Sequence, residues 1–202
     1  AIVLYPMNAL ATDQEKRFAS TIHKSGKLKA AGIRVGNYTG RYDASDPGAG
    51  QDSGWKTMGE DHGISHHATQ MESPPDILLT NYRMLDFLLM RPSDQGLWQH
   101  NAPGVLRYLV LDELHTYDGA QGSDVACLIR RLKERLGAPR GELCVVGTSA
   151  TLDERDLGKE EQEEGKADAQ ETGSERLAYF AGKLFEEDID ETAVIGENRL
   201  DV

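Results

Sequence analysis

The amino-acid sequence predicts an α/β fold with a largely parallel sheet, and three observations lead to that prediction. Short apolar runs alternate along the chain with segments of helical periodicity. The runs are rich in Val, Leu and Ile, as expected for strands that are buried on both faces. The chain shows no internal repeat that would indicate another architecture. The expected strands are 2–5, 33–38, Ile77–Thr80, Tyr108–Leu111 and 143–147.

Helices are predicted between and after these strands, at about 9–24, Tyr82–Met90, about 120–136 and about 175–186. The third is the clearest, because one face of it is apolar: Val125, Leu128, Ile129, Leu132 and Leu136. Gly137 is expected to end that helix, and Ser174 is the expected N-cap of the last one.

Two segments lack a sustained period. Residues 41–75 are rich in Gly, Asp, Ser and Pro, and residues 153–172 are charged and nearly free of large apolar groups. We interpret both as mobile surface insertions in one domain that covers residues 1–185. Residues 186–202 are expected to begin a linker toward a second domain.

The net charge of −12 does not by itself exclude binding to nucleic acid. Residues 153–172 and 186–202 each carry a net charge of −6, so the remaining acids and bases balance. No apolar run approaches the ~20 residues that span a bilayer. The two cysteines form no CxxC motif, and the first residues do not resemble a secretory signal. We expect a cytoplasmic protein without a membrane segment.

Three histidines, His62, His66 and His67, cluster in the first insertion. They leave a metal site open, but no cysteine or fixed helical spacing supports one. A structural role is the favoured interpretation.

The segment LVLDELHTYDG carries the main chemical signal. Asp112 and Glu113 directly follow a buried strand, at the end where open α/β sheets bind ligands. One carboxylate can hold Mg²⁺ while the other orients or deprotonates an attacking water. The alternative is that the acidic residues simply end the strand, since a tetrapeptide matches by chance.

Three further segments place polar groups at strand ends: LYPMNALATDQ, ILLTNYRML and VVGTSATL. In the first two, a strand leads into a helix N-terminus whose free N–H groups suit phosphate oxygens. In the third, Ser149 and Thr151 offer hydroxyl groups to neighbouring loops. Taken singly, the first two segments are better explained as helix caps, and the third is a weak signal that an ordinary turn also explains.

Taken together, YPxxAL, TNYxML, DELH and TSAT resemble motifs Ia, Ib, II and III of superfamily 2 helicases of the DEAD/DEAH type, over roughly residues 1–152. The segment VGNYTGR is similar to an additional glycine-containing DNA contact of that family. The resemblance implies a RecA-like three-layer α/β/α motor domain. It also implies that ATP and Mg²⁺ are the cofactors.

The resemblance implies a role for each matching position. Asp112 would hold Mg²⁺, Glu113 would activate water, and His115 would sense the nucleotide against a second RecA-like domain. Ser149, Ala150 and Thr151 would couple hydrolysis to motion. The remaining positions would line a single-strand track: Pro6, Asn8, Ala9, Thr39, Gly40, Thr80 and Asn81. The third position of DExH is Leu114 in place of Ala or Val.

A narrower resemblance links LDELHTYDGAQGSDVACLIRRL to the subgroup of the bacterial mitomycin-repair helicases and their RecQ-like fungal relatives. It implies an ATP-dependent motor on single-stranded and duplex DNA, acting in DNA repair or defence. The 202 residues contain no GxxxxGK[ST] phosphate loop, so we expect a motor domain that is incomplete at its N-terminus and inactive alone. The alternatives are an RNA helicase of the same superfamily and a non-catalytic nucleic-acid-binding scaffold.

Overall fold

The structure is a computed structural model, and it describes residues 1–40, 54–138, 140–149 and 173–196. Its centre is a sheet of five strands in the order β2-β3-β1-β4-β5, and every pair is parallel. The strands are β1 (Ile2–Leu4), β2 (Val35–Asn37), β3 (Ile77–Thr80), β4 (Tyr108–Leu111) and β5 (Cys144–Gly147). The prediction of a parallel α/β sheet is therefore confirmed. Because all strands run the same way, their carboxyl ends meet at one side of the sheet, here called the carboxyl edge.

Helices cover both faces of the sheet and give three layers. They are α1 (Asn8–Lys24), α2 (Gly26–Ala30), α3 (His67–Glu72), α4 (Tyr82–Met90), α5 (Gly119–Leu136) and α6 (Gly173–Phe185). Helix α1 packs Ala11, Ala19 and Ile22 against one face of β1, β2 and β3. Helices α4, α5 and α6 share the larger core on the other face. Among the described helices, none combines the length and the apolar character that crossing a bilayer requires.

The helix ends follow the predicted signals at α5 but not at α6. Gly137 ends α5 in the left-handed conformation, with φ of 58°, as a C-terminal glycine is expected to do. Helix α6 begins at Gly173, so Ser174 lies inside its first turn and does not precede it. Helix ends are the least certain feature of a sequence pattern.

Residues 54–75 differ from the expected surface insertion. Helix α3 lies there, and Ile64, His66 and Gln70 are buried. The N–H of Ile64 donates to the carbonyl of Val35 at 2.9 Å, and the Gln70 amide donates to the carbonyl of Asn37 at 3.1 Å. This segment covers the outer side of β2 with amide and imidazole groups, which a search for apolar periods does not detect. Residues 41–53 and 150–172 lie outside the described residues.

Each histidine of this segment has a packing role. His62 stacks on Trp55 and His67 stacks on Tyr38, both with ring centroids 4.0 Å apart. His66 is buried, and its Nδ1 accepts a hydrogen bond from the N–H of Thr69 in the first turn of α3. Burial lowers the pKa of His67. Within the described ranges, no group of three His, Cys, Asp or Glu side chains could hold a metal ion.

Candidate nucleotide and nucleic-acid site

The turns that follow β4 and β5 lie side by side at the carboxyl edge. Strands β4 and β5 pair in register, with Leu111 opposite Gly147. Beyond the strands, the N–H of Leu114 donates to the carbonyl of Thr148 at 2.7 Å. The N–H of Thr148 donates in turn to the carbonyl of Leu111 at 3.0 Å. These bonds join residues 112–115, here called the DELH turn, to residues 148–149.

Asp112 is held at both its backbone and its side chain. Its N–H donates to the carbonyl of Leu4 at 2.9 Å, which ties the DELH turn to β1. The Thr148 hydroxyl donates a hydrogen bond to Asp112 Oδ1. Among the described residues, no donor binds the other carboxylate oxygen, and the side chain is only half-buried. A carboxylate with one anchored and one open oxygen fits the way proteins hold Mg²⁺.

Glu113 adopts a backbone conformation that is uncommon for a residue with a side chain. Its φ of 54° and ψ of 56° lie in the left-handed region. The N–H and the hydroxyl of Thr116 both donate to the Glu113 carbonyl at 2.8 Å and hold this conformation. Such backbone conformations cost free energy and cluster at functional sites. In this conformation the Glu113 carboxylate lies beside His115, with Oε2 3.5 Å from His115 Nδ1.

His115 connects the two turns through its side chain. Its Nδ1 lies 2.8 Å from Ser149 Oγ and 3.5 Å from Glu113 Oε2. The structure therefore brings together four of the residues that the sequence singled out: Asp112, Glu113, His115 and Ser149. Ala150 and Thr151, the other predicted coupling residues, lie outside the described residues.

Sequence reasoning missed Thr148 as a site residue, although a signal was present. In parallel strands that pair in register, the residues that follow each strand also lie opposite each other. Asp112 follows Leu111 and Thr148 follows Gly147, so the position directly after each predicted strand was the available signal, and the observed register brings the two residues together.

Tyr5 is a second residue whose role the sequence did not predict, because Tyr5 was noted only as part of the YPxxAL motif. It is buried at the end of β1, and burial raises its pKa to about 12, with the negative charge of Asp112 adding to the shift.

Three residues form a second cluster at the ends of β1, β2 and β3, here called the track cluster: Asn8, Thr39 and Asn81. The Asn8 amide donates to the carbonyl of Thr39 at 3.4 Å, and the Asn81 amide donates to Asn8 Oδ1 at 2.5 Å. Asn81 Oδ1 also accepts from the N–H of Met84 at 2.8 Å and so caps α4. The cluster thus fixes the starts of α1 and α4 relative to each other.

The other predicted track residues divide into exposed and buried positions. Ala9 and Gly40 are exposed, and Pro6 is half-buried, so all three are open to a ligand. Gly40 has φ of 71°, and a Cβ there would lie 2.0 Å from Met84 Cε. Thr80 differs, because it is fully buried and its hydroxyl donates to the carbonyl of Tyr38 at 2.6 Å. The Thr80 side chain therefore stabilises the backbone next to the predicted track and is not itself exposed to a ligand.

The model of the DEAD/DEAH box helicase family matches residues 1–159. The chain belongs to the DEAD/DEAH box helicase family. Membership confirms the family resemblance, and the parallel sheet with flanking helices is the RecA-like fold of helicases.

Individual relatives of this DEAD/DEAH box domain are similar over part of their length. The Druantia protein DruE of Escherichia coli (strain UMEA 4076-1) is 38% identical over 102 residues, which cover 48% of this chain and 6% of DruE. The ATP-dependent helicase YprA of Bacillus subtilis (strain 168) is 30% identical over 163 residues, which cover 79% of this chain and 18% of YprA. The chain therefore spans less than a fifth of either relative.

A solved structure has the same fold. The helicase MrfA, determined in complex with DNA and AMPPNP, is 25% identical, with a TM-score of 0.51. The match covers 92% of this chain and 19% of the MrfA chain.

Proposed function

We propose that this chain is part of the first motor domain of an ATP-dependent DNA helicase or translocase. In this proposal, hydrolysis of Mg-ATP at the DELH turn is coupled to movement along single-stranded DNA at the track cluster. The observation that carries the proposal is the placement of both clusters on one carboxyl edge, joined through β1. Asp112 binds the backbone of β1 at Leu4, and Asn8 lies four residues further along the same segment.

The DELH turn and residues 148–149 together form what is here called the nucleotide half of the carboxyl edge, and their side chains fit Mg-ATP chemistry. Asp112 would hold Mg²⁺, which neutralises phosphate charge when it is bound. Glu113, which holds a left-handed backbone conformation, would orient the attacking water and accept its proton. His115 bridges Glu113 and Ser149, so it can report the state of the DELH turn to the residues after β5. We assign the coupling role to Ser149, Ala150 and Thr151.

The track cluster and the predicted track residues beside it form what is here called the nucleic-acid half of the carboxyl edge, and they fit the phosphate backbone of a nucleic acid. Helices α1 and α4 both begin at the track cluster, so their free N–H groups lie at the carboxyl edge. Pro6, Ala9, Thr39 and Gly40 would line the strand beside them. Contacts to the backbone do not separate DNA from RNA. The choice of DNA is supported by the relative MrfA, which was solved in complex with DNA.

A second RecA-like domain in the same polypeptide would complete the nucleotide site, and duplex DNA would be the substrate that is unwound. The proposal extends to DNA repair or defence, as the family resemblance implies. A deletion strain challenged with a DNA-crosslinking agent and with phage would test that extension. Wild-type survival under both challenges would contradict it.

The test of the biochemical proposal is ATP hydrolysis by the full-length protein with Mg²⁺, with matched single-stranded DNA and RNA oligonucleotides as cofactors. We expect single-stranded DNA to stimulate ATP hydrolysis. We expect the Glu113→Gln variant to show almost no hydrolysis, with or without DNA. Stimulation by RNA alone would assign the protein to RNA helicases. Nucleic-acid binding without hydrolysis would favour a scaffold.

The 202-residue chain alone is expected to bind Mg-ATP weakly and not to turn it over. Its sequence contains no GxxxxGK[ST] loop, whose N–H groups and lysine hold phosphates in motors of this kind. Asp112 and Glu113 by themselves present negative charge to a negative ligand. Calorimetry with Mg-ATP tests this expectation, and micromolar binding would contradict it.

A further inference from the structure

Two tyrosines connect the DELH turn with α4, the helix that Asn81 of the track cluster caps. Tyr117 is completely buried, and its ring meets the ring of Tyr82 edge-on, with centroids 6.3 Å apart and an interplanar angle of 89°. We infer that this tyrosine pair is a positioning element that couples nucleotide binding at the DELH turn to DNA binding at the track cluster. The inference rests on the proposed function and assigns residues to its coupling step.

Tyr117 is bound tightly to the DELH turn. It follows His115 by two residues, and its N–H donates to the carbonyl of Leu114 at 3.1 Å. Helix α5 begins two residues after Tyr117, at Gly119, and its first turn lies so close that a Cβ at Gly122 would be 2.3 Å from the Tyr117 carbonyl oxygen. Tyr117 is therefore held between the DELH turn and the start of α5, and in this inference a shift of the DELH turn reaches α4 through the contact of the Tyr117 ring with Tyr82.

Tyr82 is bound equally closely to the track cluster. It is the first residue of α4 and directly follows Asn81, which caps that helix and binds Asn8. A displacement of the Tyr82 ring therefore changes the angle at which α4 begins. The N–H groups at that helix start are those proposed to contact the DNA backbone.

Ordinary core packing does not account for the hydroxyl of Tyr117. Among the described residues it has no hydrogen-bond partner, although it is buried. Burial raises the pKa of Tyr117, and the nearby Asp112 and Tyr82 add to the shift. A phenylalanine would fill the same space without leaving a buried hydroxyl unpaired. In this inference, a ligand that rearranges the DELH turn gives the Tyr117 hydroxyl the acceptor that it lacks among the described residues.

The experiment measures coupling directly. The affinity of the full-length protein for a labelled single-stranded DNA is determined with and without Mg-AMPPNP, and the ratio of the two affinities is the coupling factor. The wild-type ratio should differ from one by at least about fivefold. Tyr82→Leu should bring the ratio about two- to tenfold closer to one, the range that corresponds to the energy of one aromatic pair.

Two variants separate coupling from packing. Tyr82→Phe keeps the ring and should keep the ratio, although it loses the hydrogen bond that Arg83 Nε donates to the Tyr82 hydroxyl at 3.0 Å. Tyr117→Phe should bring the ratio closer to one while the melting temperature stays equal or rises, because a buried unpaired hydroxyl is removed. A purely structural residue would leave the ratio unchanged, whether the melting temperature rises, stays equal or falls.

The outcomes also separate this inference from the proposed function. A wild-type protein that binds neither DNA nor AMPPNP would contradict the proposed function. A wild-type protein that binds both with a ratio of one has no coupling to transmit, and this would overturn the inference alone. A Tyr82→Leu ratio within twofold of wild type would also overturn it, as would a Tyr117→Phe variant that keeps the wild-type ratio.

Discussion

The two halves of the carboxyl edge are built differently. In the nucleic-acid half, the polar side chains satisfy one another: Asn8 and Asn81 are joined by a hydrogen bond, and the Thr80 hydroxyl is bound inside the protein. In the nucleotide half, Glu113 holds a left-handed backbone, and β5 exposes Cys144, Val146 and Gly147. Among the described residues, β5 has a strand partner on one side only, namely β4.

The difference indicates that the nucleic-acid half is a preformed platform and that the nucleotide half holds its groups ready for a ligand. Strain and open polar atoms are typical of residues retained for function at some cost in stability. Changes in the DELH turn should therefore affect activity more than stability. Changes to buried residues next to the track cluster, such as Thr80, should affect stability more than activity.

The largest expected effect is at Glu113. In the full-length protein, Glu113→Gln should lower the kcat for ATP hydrolysis by about 100-fold or more, because a positioned base contributes about that much. Binding of Mg-ATP should remain within a few-fold of wild type. Asp112→Asn should weaken Mg-ATP binding as well, because the open carboxylate oxygen is changed.

Steady-state kinetics and nucleotide titration measure both variants. Glu134→Gln, which changes an exposed acid on α5, is the matched control and should behave as wild type. Hydrolysis near the wild-type rate in Glu113→Gln would remove this residue from the mechanism.

The second effect is at Thr148, whose hydroxyl donates to Asp112 Oδ1. Thr148→Val should lower kcat by about tenfold, which corresponds to about 1.4 kcal/mol, because the Asp112 carboxylate loses its orienting bond. The melting temperature should not change, because residue 148 is exposed. Ser123→Ala removes an exposed hydroxyl on α5 and serves as the control. A loss of stability in Thr148→Val with unchanged kinetics would reverse the assignment.

The third effect should be on stability. Thr80→Val removes the hydroxyl that donates to the buried carbonyl of Tyr38, so unfolding should become easier by about 1–3 kcal/mol. The control is Thr21→Val on α1, whose hydroxyl donates to the carbonyl of Arg17 at an exposed position. Thr21→Val should change the free energy of unfolding by no more than about 0.5 kcal/mol. Urea unfolding of the chain, followed by tryptophan fluorescence, measures both, and equal effects would contradict the platform interpretation.

The sequence predicted the sheet well because its signal is local. Strands buried on both faces are short apolar runs, and α5 carries one apolar stripe over its whole length, so both can be found without tertiary information. Helices α2 and α3 were missed because they have 5 and 6 residues, too few for a period to show. What orders α3 is tertiary: it packs against residues 92–98, and the Gln70 amide binds β2.

The candidate site could be predicted as a set of strand ends but not as a network. Parallel strands place Asp112, Asn81 and Ser149 on one edge regardless of detail. The direction of each side chain was not predictable in the same way. Thr80 was expected to face DNA, yet the alternation of β3 turns its side chain into the protein, toward the carbonyl of Tyr38. The Tyr82–Tyr117 contact depends on how α4 packs beside the DELH turn, which no single segment encodes.

The smallest expected effect is at Tyr5, where the two halves meet. The N–H of Tyr5 donates to the carbonyl of Thr80 at 2.9 Å, and the neighbouring Leu4 carbonyl accepts from Asp112. The pKa of Tyr5 is raised from the ordinary 10.0 to about 12, first by burial and then by Asp112. A raised pKa means that the folded state favours the neutral phenol. The stabilisation that results is complete below pH 10 and is lost as the pH rises to about 12.

Tyr5→Phe removes this titration, so the free energy of unfolding should fall less steeply between pH 10 and about 12 than it does in wild type. Some decline should remain, because burial also raises the pKa of Tyr117. Tyr108→Phe, at a site that is 53% exposed, should leave the slope unchanged. Asp112→Asn should flatten the slope less than Tyr5→Phe does, because Asp112 is the smaller of the two causes. Urea unfolding at fixed intervals from pH 8 to about pH 12 measures all four proteins. If Tyr5→Phe and wild type decline in parallel, Tyr5 titrates as an exposed tyrosine does, and the buried junction between the two halves is more open to water than the structure shows.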